Sequence, residues 1–80
     1  MKDAPLYNFL GISYGHTNQL VKAVESLKEA IRLDPKLAEA HLNLSYAYQR
    51  LGQRAAAQEE YSESCRLQEH FCQLIPAHPQ

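Results

Sequence analysis

The feature that most constrains the fold of this chain is that it repeats itself after 34 residues. Leu10, Tyr14, Gln19, Ala23, Glu25, Glu29, Arg32 and Leu33 recur as Leu44, Tyr48, Gln53, Ala57, Glu59, Glu63, Arg66 and Leu67, and Ala4 recurs as Ala38. A period of roughly twenty to fifty residues marks a stacked-repeat architecture, in which one unit cannot bury its apolar face alone and its neighbour completes the core. The two copies join at Leu33-Asp34-Pro35-Lys36-Leu37.

Within each copy the apolar residues follow the three-to-four spacing of a helix face. A first helix is expected from the Asp3 cap, with Pro5 in its opening turn, to Gly15 or His16. Leu6, Leu10 and Tyr14, with Tyr7 beside them, form its apolar face. Gly11 lies inside that face, which predicts the close approach of another helix's backbone. The turn Gly15-His16-Thr17-Asn18 follows, with Asn18 as the left-handed residue and Gly52 at the matching place of the second copy. A second helix, Gln19 to Leu33, buries Leu20, Ala23, Val24, Leu27, Ala30 and Ile31 and exposes Glu25, Lys28, Glu29 and Arg32. Asp34-Pro35 interrupts it, and Asp34 is expected to cap a third helix from Pro35 to Leu51. That helix buries Ala40, Leu44, Ala47, Tyr48 and Leu51, with Ser45 in the place of Gly11. A fourth begins near Gln53 and continues the stripe through Ala57, Tyr61, Ser64, Cys65 and Leu67. Glu69 stands where the first copy has Pro35, and no breaker occurs before Pro76. The fourth helix is therefore expected to run past the repeat, carrying Phe71, Leu74 and Ile75, with residues 77–80 as a frayed tail.

Eighty residues allow one small domain with a modest core. A net charge of −1, with 8 basic and 9 acidic residues interspersed, argues against nucleic acid and against an anionic membrane surface. No apolar run approaches the about 20 residues of a membrane span. The opening Met1–Pro5 carries no signal-peptide-like apolar region. Cys65 and Cys72 lie seven apart. On one continuous helix that is about 10 Å along the axis, too far for a disulfide, so two free thiols and a cytoplasmic location are expected. His16, His41, His70 and Cys72 show no zinc-site spacing, and no cofactor is expected. The carboxylates face outward beside basic residues, and neither a phosphate loop nor a nucleophile elbow is present, so an enzyme is not expected.

The pattern resembles the tetratricopeptide repeat (TPR), a 34-residue helix–turn–helix. Tyr7, Leu10, Gly11, Tyr14, Ala23, Leu27, Ala30 and Pro35 meet its signature in the first copy. Leu44, Ser45, Tyr48, Gly52, Ala57 and Tyr61 meet it in the second, which departs at His41, Ser64 and Glu69. The resemblance implies an all-α, right-handed solenoid of two hairpins: residues 4–37, residues 38–71, and a helical extension with tail over 72–80 that lengthens the last helix. It implies a protein-binding scaffold whose concave face holds a peptide or helix of a partner protein. On that face lie Asn8, Ile12, His16, Leu42, Asn43, Tyr46, Gln49 and Arg50. Asn43 matches one residue of the family's chaperone-tail clamp, but Asn8 and Ile12 replace its lysine and asparagine, so such a clamp is not expected. The alternative is structural: a homo-oligomer or part of a longer array. Two repeats are fewer than the roughly three such arrays need, and Phe9, Leu67, Phe71, Leu74 and Ile75 would make the contact.

Overall fold

Two residues with positive φ fold the chain into hairpins: Asn18, at 64°, and Gly52, at 80°. The computed structural model describes residues 3–73. Within them lie α1 (Ala4–His16), α2 (Leu20–Leu33), α3 (Ala38–Arg50), α4 (Arg54–Leu67) and a terminal 3-10 helix, Glu69–Gln73. Asn18 and Gly52 end the A helices α1 and α3 in the same way. The Gln19 amide donates to the Tyr14 carbonyl at 2.8 Å, and the Gln53 amide to the Tyr48 carbonyl at 2.9 Å. Both bonds satisfy carbonyls left open at a helix C-terminus. Asparagine tolerates the left-handed region because its short polar side chain bonds locally; glycine enters it without steric cost.

α1 packs on α2, α3 packs on α4, and α2 and α1 both touch α3. Ala23, Leu27, Leu44, Ala47, Tyr48 and Ala57 form the core, with Tyr14, Val24, Ile31 and Ala56 against it. Most of these came from the predicted stripes, and fully burying a leucine such as Leu27 or Leu44 stabilises the fold by about 2–3 kcal/mol. Gly11 is required for packing: a Cβ there would stand 2.6 Å from Leu27 Cδ2. The close approach is thus by a side chain of α2 rather than by its backbone. In the second hairpin Ser45 occupies the place of Gly11, fully buried, and its hydroxyl has no hydrogen-bond partner.

The expected core face of α1 needs correction. Leu6 is 55% exposed and Leu10 37% exposed, while Ala4, Asn8 and Gly11 are the buried residues of that helix. Their counterparts Ala40 and Leu44 are 0% and 1% exposed because the first hairpin covers them. No described element covers Leu6 and Leu10 in turn.

The caps also differ from expectation. Asp3 makes no side-chain cap bond; its carbonyl accepts the Tyr7 amide at 3.1 Å. Asp34 does not cap α3, which starts at Ala38 with Leu37 at its cap. Proline forces the preceding residue out of the helical region, and Asp34 is extended at φ −145°, ψ 88°. Its Oδ1 instead accepts the Lys36 amide at 3.2 Å, closing a turn of its own. His41, buried on α3, ties that turn to α4: Nδ1 lies 2.7 Å from Glu60 Oε1 and Nε2 lies 3.0 Å from the Pro35 carbonyl.

The largest departure is at the end of the second copy. α4 does not run on; it stops at Leu67, and Gln68 is extended at φ −141°, ψ 101°, close to the values of Asp34. The bonding repeats too. The Gln68 amide donates to the Ser64 carbonyl as Asp34 does to Ala30, each at 2.9 Å, and the Phe71 amide donates to the Gln68 carbonyl as Leu37 does to Asp34, each at 3.0 Å. The chain makes the repeat's closing turn without its proline. Phe71 is 8% exposed, and the Tyr61 hydroxyl donates to the Cys72 carbonyl at 2.9 Å. Cys65 and Cys72 form a disulfide with Cα atoms 5.0 Å apart. The exclusion of that disulfide assumed a continuous helix; the break at Gln68 removes the assumption, and with it the argument from free thiols to a compartment. Leu74, Ile75 and residues 77–80 lie outside the described residues.

Candidate functional site

A cavity of about 180 Å³ opens where α1, α2 and α3 meet. Its floor is apolar: Gly11 and Ile12 from α1, Leu20, Ala23 and Leu27 from α2, and Ala47 from α3. Glycine at position 11 keeps the floor low, because any side chain there would displace Leu27. The remaining lining is Gly15, His16, Asn43, Tyr46 and Arg50, with no carboxylate. α1 itself carries no charged residue from Ala4 to His16.

Two contacts between the hairpins shape this cavity. Asn43 Nδ2 donates to Asn8 Oδ1 at 2.9 Å, joining α3 to α1 at one end. At the other, Arg50 donates from Nη1 to the Gly15 carbonyl at 2.9 Å and from Nη2 to Asn18 Oδ1 at 3.0 Å. The guanidinium, which lines the cavity, is thereby tied to the first turn by two of its five N–H donors. Tyr46, 37% exposed, flanks the opening from α3.

Of the residues expected on the partner face, the structure brings Ile12, His16, Asn43, Tyr46 and Arg50 together around the cavity. Asn8 is buried between the helices and Leu42 is buried on α3; Gln49 is exposed but outside the lining. Sequence reasoning missed Leu20, Ala23 and Leu27 as floor, because a helical stripe does not distinguish a residue under a hollow from one under a neighbour. It also missed the Arg50 contact with the first turn, which spans 35 residues. Of the residues expected to join copies of the chain, Phe9 is 67% exposed, Leu67 half-buried and Phe71 buried.

The acidic residues lie elsewhere. Glu29 and Glu63 sit on outward helix faces, each paired with an arginine three residues on: Arg32 Nη2 lies 2.6 Å from Glu29 Oε2, and Arg66 pairs with Glu63 in the same way. The hydrogen bond from arginine holds each carboxyl below its ordinary range. Among the described residues, no group of three His, Cys, Asp or Glu could hold a metal ion, and no helix is long and apolar enough to cross a membrane.

A family model described as TPR repeat matches residues 11–52, and one described as tetratricopeptide repeat matches residues 38–71. The two matches run from the middle of α1 through Phe71 and overlap on α3. No curated protein matches the chain.

Proposed function

The chain belongs to the tetratricopeptide repeat family, whose repeats generally mediate protein–protein interaction, and from that premise we propose that its cavity between α1, α2 and α3 seats one apolar side chain of a partner protein beside an acidic group. The observation that carries this reading is the lining: an apolar floor, an arginine fixed at the mouth and no carboxylate. A leucine or methionine side chain matches the cavity in size. A carboxylate next to it meets a guanidinium already held in place, so little side-chain entropy is lost on binding. Ile12 and Tyr46 supply apolar contact, and His16 and Asn43 supply polar contact at the edge. The family is typically a non-enzymatic scaffold, and the work of this site is recognition.

The test is a titration of ¹⁵N-labelled protein with acetylated hexapeptides in which leucine precedes Glu, Gln or Lys. The Glu peptide binds tightest. Tyr46→Ala weakens all three, and Arg50→Gln removes the preference for Glu, a loss of about tenfold if one charge-assisted bond is broken. Unchanged affinity in Tyr46→Ala would place binding elsewhere.

A second reading, self-association, is favoured by the exposure of Leu6, Phe9 and Leu10 on a helix without charge. Phe71 is covered by its own chain, so the contact falls at the α1 end. Phe9→Glu with Leu10→Glu then dissociates the oligomer in sedimentation, whereas Tyr46→Ala does not. A monomer at high micromolar concentration removes this reading.

A further inference from the structure

The turn after α4 serves neither the cavity nor the stacking of the hairpins. The equivalent first turn is held by two local devices: Pro35, which forces Asp34 out of the helical region, and Asp34 Oδ1, which accepts the Lys36 amide. Gln68 and Glu69 stand at those places in the second turn and supply neither. From Arg54 to Gln73 the sequence holds no glycine and no proline, and glutamine and glutamate are good helix formers. By local propensity this stretch is one helix. The structure breaks it at Gln68, three residues after Cys65, whose sulfur is bonded to that of Cys72.

The two arrangements exclude each other. In an unbroken helix, residues seven apart lie about 10 Å apart along the axis, beyond the about 7 Å that a disulfide spans between Cα atoms. In the turned form the Cα atoms are 5.0 Å apart. We propose that the Cys65–Cys72 pair is a redox latch that selects between two conformations of residues 68–73: turned and docked on α4 when oxidised, and a continuation of α4 when reduced.

The step is a thiol–disulfide exchange with a dithiol reductant. One thiolate of the reductant attacks a cysteine sulfur, the Sγ–Sγ bond breaks, and the second thiol resolves the mixed disulfide. Two electrons and two protons pass to the protein, leaving two cysteine thiols and an oxidised, cyclic reductant. Both cysteines are only half-buried, so the reductant has access. Straightening sets Cys72 about 16 Å along the axis from Tyr61. The Tyr61 hydroxyl then loses the Cys72 carbonyl and Phe71 leaves its seat, uncovering the end of α4.

The experiment follows the Cα shifts and amide exchange of residues 68–72 in labelled protein, with and without dithiothreitol; the cysteine Cβ shifts report the redox state. On reduction the Cα shift of Gln68, which is extended in the turned form, becomes helical, and the Glu69 and His70 amides exchange about tenfold more slowly. Cys65→Ser with Cys72→Ser shows the reduced pattern without reagent. Glu69→Pro restores the missing breaker and keeps the turned pattern in both redox states. Three results would overturn the latch: shifts at 68–72 that do not move in the fully reduced protein, shifts that move to random coil, or two thiols that stay free under a glutathione disulfide buffer.

Discussion

Leu10 and Leu44 hold the same place in the two hairpins, yet Leu10 is 37% exposed and Leu44 1% exposed. Gly11 and Ser45 follow them, the first beneath Leu27 and the second buried with an unpartnered hydroxyl. Asn18 and Gly52 turn the chain with the same hand, and Asp34 and Gln68 bend it through nearly the same angles. The comparison separates two kinds of information in a repeat. Backbone path is reproduced even where the residue that enforces it in one copy is missing from the other. Burial is not a property of the repeat unit; it depends on which neighbour lies alongside.

The sharpest way to break that comparison is the same substitution at matched places. Leu44→Ala removes a fully buried side chain and costs about 3 kcal/mol in urea unfolding, whereas Leu10→Ala costs less than about 1 kcal/mol. Equal costs would mean that α1 is covered in solution. Next come the small residues of the A helices. Gly11→Ala drives a methyl group into Leu27 and costs about 2 kcal/mol despite its better helix propensity. Ser45→Ala removes an unsatisfied buried hydroxyl and raises stability by up to about 1 kcal/mol. At the turns, Gly52→Ala puts a Cβ in the left-handed region and costs about 1 kcal/mol; Asn18→Gly keeps the turn but loses the Oδ1 that accepts from Arg50 and costs about 1 kcal/mol.

The smallest effect is electrostatic and has the same direction in the two hairpins. The hydrogen bonds from Arg32 and Arg66 lower the pKa of Glu29 and Glu63 from the ordinary 4.5. The unfolded chain therefore takes up these protons at higher pH than the folded one. The pairs' contribution is present at neutral pH and fades as pH falls below about 4.5 toward the lowered values. Both carboxyls are partly exposed, so the effect is screened by salt. Side-chain carboxyl titration by NMR should find both midpoints below 4.5; a Glu29 midpoint at the ordinary value would remove the Arg32 pair from the folded state.

The hairpins were legible in the sequence because helical periodicity, the turn residues Asn18 and Gly52 and the 34-residue offset agreed with one another. Helix ends were less so. Asp34 has two acceptable roles, cap or turn, and proline at 35 selects the second only once the path to α3 is known. The stop at Leu67 was hidden because residues 68–73 favour helix by composition; a cross-link and the burial of Phe71, both tertiary, outweigh that preference. Of the candidate site, the residues on the A helices were readable from their spacing. Its depth was not, since the hollow depends on Gly11, Leu27 and Ala47 meeting across three helices.

The Arg50 contact with the first turn has a practical corollary. The guanidinium grips the Gly15 carbonyl and Asn18 Oδ1, and Asn18 lies outside the cavity lining. Any change that slides one hairpin against the other by a fraction of an ångström would carry the cation off its aim while leaving every lining residue intact. Defects in recognition can thus originate in a remote loop, and a variant at Asn18 would masquerade as a binding mutant.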